Sequence, residues 1–60
     1  MEKIVITYKE TPRHKVLNLV KVIGSKFPCF IDAHFIERKI FIEARKEDVK
    51  AIKNILKFIK

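Results

Sequence analysis

A sixty-residue chain with a single cysteine has few ways of holding a fold together. A domain of this size buries only about 60% of the surface its unfolded form exposes, so its core alone is marginal. Chains this short usually add a staple, which is a set of disulfides, a metal or a partner chain. Cys29 has no second cysteine to bond with. Cys29, His14 and His34 are the only good zinc ligands, and they show neither CxxC nor HxxxH spacing. Elimination leaves a partner chain, with no metal or cofactor expected. Hydrophobic residues at 48% and charged residues at 35% suit a folded protein rather than a disordered one. No apolar run approaches the ~20 residues of a membrane span. Residues 1–3 lead directly into strand-like sequence rather than a signal peptide. The free thiol fits a reducing compartment. These features together read as a cytoplasmic protein with no membrane contact. Lysine and isoleucine dominate and glutamine is absent, a bias that resembles a thermophile's proteome.

One glycine and two prolines punctuate the chain into five pieces that read as one domain over residues 1–60. Residues 3–9 are β-branched and aromatic, and alternation puts Ile4, Ile6 and Tyr8 on one face and Val5 and Thr7 on the other. Thr11 followed by Pro12 predicts a helix start, with Thr11 as the N-cap. Val16, Leu19, Val20 and Ile23 then share one arc of about 100°, and Gly24 stands where a C-terminal cap is expected, giving a helix over 12–23. Residues 29–36 alternate again, with Cys29, Ile31, Ala33 and Phe35 inward and Phe30, Asp32, His34 and Ile36 outward. A charged tip at 37–39 leads into a strand over 40–44, and together these predict a hairpin with a loop longer than two residues. A second helix opens at Glu47 and Asp48, whose charges complement its positive end, and runs to residue 60. Val49, Ile52, Ile55, Leu56 and Ile59 form its apolar arc of about 120°. The expected architecture is α+β with two layers in β-α-β-β-α order. A three-stranded antiparallel sheet would carry both helices on one face.

Two surfaces of that architecture invite a function. The uncovered sheet face would carry Val5, Thr7, Phe30, Asp32, His34, Ile36, Phe41 and Glu43, more apolar area than a monomer normally leaves in water. Val5, Phe30, His34, Ile36 and Phe41, with Phe58 at the flank of the second helix, are the candidate protein-interface residues. The bland alternative is a bulge that breaks alternation and turns some of them inward. The second surface is basic. Lys46, Lys50, Lys53, Lys57 and Lys60 fall within an arc of about 80° along the second helix, with Arg45 before them. With a net charge of +7, they read as a stripe that tracks a phosphate backbone without reading sequence. The bland alternative is a solvated lysine face of a thermophile's helix.

Catalysis finds little support. There is no paired-carboxylate spacing, HExxH, nucleophile elbow or Gly-rich phosphate loop. Asp32 and His34 share a strand face, which suits an ordinary polar pair better than a general base. Cys29 is expected inward, as a core thiol rather than a reactive one.

The segment Ile40-Phe41-Ile42-Glu43-Ala44, then Asp48-Val49, Ile52-Lys53 and Leu56, resembles the small dimerising subunit of the archaeal KEOPS complex. That family has the same β-α-β-β-α order. A strand ending in Ile-x-Ala precedes an acidic and an aliphatic residue that open the last helix, with a basic residue five positions after the acid, as Lys53 follows Asp48. The resemblance covers about a third of the chain. Lys57 stands where the family often has asparagine, and the first-helix region is short and differently worded. The resemblance implies a non-catalytic subunit that pairs with itself or with a similar small subunit through sheet edges. It implies a larger ATP-binding catalytic subunit as partner, and a share in binding tRNA for threonylcarbamoylation of an adenosine. Lys50, Lys53 and Lys57 would serve the RNA. The other reading of the residues is a free-standing basic nucleic-acid-binding dimer of a chromatin or regulatory kind.

Overall fold

The computed structural model describes all sixty residues. The elements are β1 (Glu2–Thr7), α1 (Arg13–Lys26), β2 (Cys29–His34), β3 (Lys39–Ala44) and α2 (Lys46–Leu56). The sheet order is β1-β3-β2, and β3 runs antiparallel to both neighbours. The expected β-α-β-β-α architecture is therefore present, with β1 and β2 as free edges. The β1-α1-β2 crossover skips one position, and the hairpin strand β3 fills the gap.

The register explains the core. Ile4, Ile42 and Ile31 align across the sheet, as do Ile6, Ile40 and Ala33, so β-branched side chains stack in rows on one face. Above those rows, α1 packs toward β2 and α2 toward β1, and the helices touch each other. Val16 and Ile23 come down from α1 and Ile52 and Leu56 from α2, all fully buried or nearly so. Ile40 and Ile42, on the middle strand beneath both helices, are among the largest fully buried side chains. Each such isoleucine contributes about 1.5–3 kcal/mol of transfer free energy.

Element boundaries differ from the sequence reading where long-range contacts outweigh local signals. β1 ends at Thr7 rather than residue 9, because the amides of Lys9, Glu10 and Thr11 all turn to donate to the Lys60 carbonyl, at 3.1, 2.6 and 2.9 Å. Thr11 is not the N-cap. Its hydroxyl donates to the Lys60 carbonyl at 3.2 Å and accepts the Lys60 amide at 2.6 Å, and Pro12 takes the cap position. Gly24 is not the C-cap either. The helix runs through it to Lys26, and Pro28 ends it by forcing Phe27 into extended geometry (φ −127°, ψ 143°). β2 stops at His34, and residues 35–38 form a four-residue turn with Arg38 in the left-handed region at φ 58°. Ile36 therefore lies on the hairpin tip, not on a strand.

Gly24 thus occupies a helix interior with ordinary backbone angles. A Cβ there would meet only Ile31 Cδ1, at an ordinary 3.9 Å. Gly24→Ala is expected to stabilise the protein by about 1 kcal/mol, raising Tm by about 4–8 °C in a thermal melt.

Candidate nucleic-acid interface and the open sheet face

α2 lies over β1, and its lysine flank faces the free edge of that strand. Two grooves show this. One is lined by Glu2, Lys46, Val49, Lys50, Lys53 and Asn54. The other runs along β1 beside Lys53, Leu56 and Lys57, with Lys3 on its strand side. Lys53 borders both, so the two form one channel. From Lys46 to Lys57 the row extends ~16 Å at 1.5 Å per residue. Successive lysines of the row, three or four residues apart, have Cβ atoms ~5–6 Å apart. The only side chains within 4.0 Å of a carboxylate on the basic side are those of His34 and Arg45, so every lysine ammonium is left without a carboxylate partner. Glu2 is the one acid that lines the channel.

Three residues predicted for sites have other surroundings. Arg45 is not a free cation: its Nε lies 3.0 Å from Asp48 and 3.3 Å from Glu47. The acids at the start of α2 thus hold both the helix end and this guanidinium. Lys60 has left the helical row, because α2 stops at Leu56 and the chain tightens into i→i−3 bonds before docking on Thr11. Phe58 is 67% exposed but belongs to the helix layer, where the Lys57 Nζ sits 5.7 Å from its ring centroid. Lys15 and Lys60 border the same shallow surface as Phe58. An aromatic thus stands at the end of the lysine row, where an unstacked base could rest. The placements of Lys3 and Lys15 depend on how the layers pack, so no local pattern in the sequence marks them.

The open sheet face is present and regular. Alternation holds through all three strands, with no bulge. Phe30 is 72% exposed, Val5 57% and Phe41 38%. Ile36 is 99% exposed at the hairpin tip. His34 packs edge-on against Phe41, with ring centroids 5.1 Å apart. Its Nε2 lies 3.0 Å from an Asp32 carboxylate oxygen, and its Nδ1 is 3.7 Å from Glu37. The pair is at the surface and serves to orient the imidazole over the aromatic.

Cys29 is half-buried against the core. Burial pushes its thiol above the ordinary value, and the Asp48 carboxylate pushes it further. The thiol form is therefore favoured by folding. Its contribution to stability is complete below the ordinary 9.0 and is lost as pH rises through the higher folded value. Alkylation by iodoacetamide at neutral pH is expected to be several-fold slower than for free cysteine. Cys29→Ala is expected to flatten the alkaline fall in stability followed by urea titration. An alkylation rate equal to that of free cysteine would contradict this environment.

No group of three or more His, Cys, Asp or Glu side chains is placed to hold a metal ion. No helix is long and apolar enough to cross a membrane. No family model, curated protein or solved structure matches the chain.

Proposed function

We propose that the chain is a non-catalytic accessory subunit that holds RNA by its phosphate backbone along the β1 edge. Its setting is a cytoplasmic tRNA-modifying assembly of the KEOPS kind, which its last strand and helix resemble. There it would pair with a second small subunit and serve a larger ATP-binding catalytic subunit that forms threonylcarbamoyladenosine. The observation that carries the RNA half is the row of Lys46, Lys50, Lys53 and Lys57 with Lys3, unpaired by any carboxylate within 4.0 Å. A lysine face built only for solubility gains from interspersed acids. This one sets five lysines against a single acid, Glu2, along a channel, which suits a polyanion. The assembly half rests on the apolar open sheet face.

The test is fluorescence anisotropy with labelled tRNA at low salt, beside duplex DNA of equal charge. Micromolar tRNA binding that is at least as tight as DNA binding supports the proposal. No binding at low salt overturns the RNA role. A strong preference for DNA transfers the reading to a free-standing chromatin or regulatory protein.

A further inference from the structure

Tyr8 is nearly enclosed, at 4% exposure, yet its hydroxyl makes no hydrogen bond within the protein. No side-chain polar atom is sealed off without a partner, so that hydroxyl reaches solvent, and Tyr8 lines a depression of ≈ 260 Å³ at the start of α1. We infer that this depression binds a terminal phosphate group, free or as a phosphomonoester. The inference goes beyond the RNA and assembly roles, which rest on the lysine channel and the open sheet face and use none of these residues.

The lining sets Lys9, Arg13 and Arg38 against one acid, Glu10. None of the three cations has a carboxylate within 4.0 Å. Both guanidiniums are held in place by other contacts. Arg13 lies over the Phe35 ring, 4.9 Å from its centroid. Arg38 donates through Nη1 to the Lys9 carbonyl at 3.0 Å, which leaves the rest of its planar fork free. The wall between them is fixed as well, because the amides of Lys9, Glu10 and Thr11 are all tied to the Lys60 carbonyl. A site assembled before its ligand arrives loses little in ordering. The positive end of α1 opens on the same place. Its first turn carries no acid and no side-chain cap, and the amides of Arg13 and His14 donate to no group of the protein. Unpaired amides at the start of a fourteen-residue helix favour an anion. The Tyr8 hydroxyl adds a donor beside the core, where a hydrogen bond to an anion is stronger than in open water. The volume is below the roughly 300–1,000 Å³ of sites that enclose a whole drug-sized ligand, so it suits one small group. A monoester carries about −1.5 to −2 charge and three free oxygens, and it matches this set of donors better than the single charge of a backbone diester.

The test is a titration of the isotopically labelled chain followed by amide NMR, with inorganic phosphate, adenosine monophosphate and adenosine as probes. Both phosphate probes are expected to shift the Arg13 and His14 amides saturably, with Kd on the order of 0.1–1 mM at low salt. Adenosine is expected to shift neither. Equal affinities for the two phosphate probes assign the site to the phosphate alone, and tighter binding of adenosine monophosphate assigns it to a nucleotide; either supports the inference. Arg13→Gln is expected to weaken binding about tenfold, through loss of a charge-assisted contact. Tyr8→Phe removes only the hydroxyl, which has no partner in the protein, and is expected to cost about threefold. Lys21→Gln makes the same charge change as Arg13→Gln elsewhere on α1 and is expected to leave Kd within about twofold of wild type. Circular dichroism checks that each variant is folded. Absence of saturable shifts at millimolar phosphate overturns the inference, as do shifts confined to the lysine row of α2. Equal losses in Arg13→Gln and Lys21→Gln also overturn it, as does equally tight binding of adenylyl-adenosine, whose only phosphate is a diester.

Discussion

Ile40→Ala is expected to remove about half of the protein's folding stability. Ile40 is wholly buried on the middle strand, aligned with Ile6 and Ala33 and roofed by both helices. Truncating such a side chain removes its transfer free energy and leaves a cavity, at a cost of about 2–5 kcal/mol. A chain of sixty residues has only about 3–9 kcal/mol in total at the usual stability per residue. With only ten of sixty residues buried, no second cluster is available to absorb the loss. Ile40→Val is expected to cost about 0.5–1.5 kcal/mol and to keep the fold. Val5→Ala, on the open face of a neighbouring strand, is expected to change monomer stability little. Urea titrations by circular dichroism compare the three. A midpoint for Ile40→Ala within error of wild type would contradict a core centred on β3.

Reversing Lys50, Lys53 and Lys57 together to glutamate is expected to lower tRNA affinity by about a hundredfold or more near 0.1 M salt. Three counterion-releasing contacts are lost and three repulsive charges take their place. The change in net charge also acts at long range, so a control is needed. Reversing Lys9, Lys21 and Lys26 imposes the same charge change away from the channel. It is expected to cost several-fold, through the general field alone. Equal losses in the two triple variants would mean that net charge, not the lysine row, does the binding. Replacement of the three channel lysines by glutamine, which keeps helix propensity, is expected to show an intermediate loss. Circular dichroism on each variant separates weak binding from unfolding.

The contrast between what local pattern revealed and what it hid has a physical origin. The alternation of Ile4 and Ile6 with Val5 and Thr7, and the helical spacing of Ile52 and Leu56, are period signals that burial enforces. They placed the core stripe of α2 and both faces of the sheet, except at Ile36, which the hairpin turn takes off the strand. The errors cluster where distant residues compete for the same backbone groups. Thr11 carries a strong N-cap signal, yet its hydroxyl serves Lys60, forty-nine residues away. Gly24 carries a cap signal, yet Pro28 four residues later decides where the helix ends. In the basic surface, the pattern found Lys46, Lys50, Lys53 and Lys57, because one helix presents them all. It grouped Arg45 with the row, because an ion pair to Asp48 and Glu47 depends on cap geometry. It missed Lys3, whose proximity depends on α2 settling over β1.

The slope of log affinity for tRNA against log salt concentration, from about 50 to 200 mM, tests the role of the lysine channel most directly. Four or five phosphate contacts predict a slope of about −3 to −4 for the wild-type protein, and a slope shallower by about 2 to 3 when Lys50, Lys53 and Lys57 are reversed. A wild-type slope near zero, or the same slope in both proteins, would contradict it.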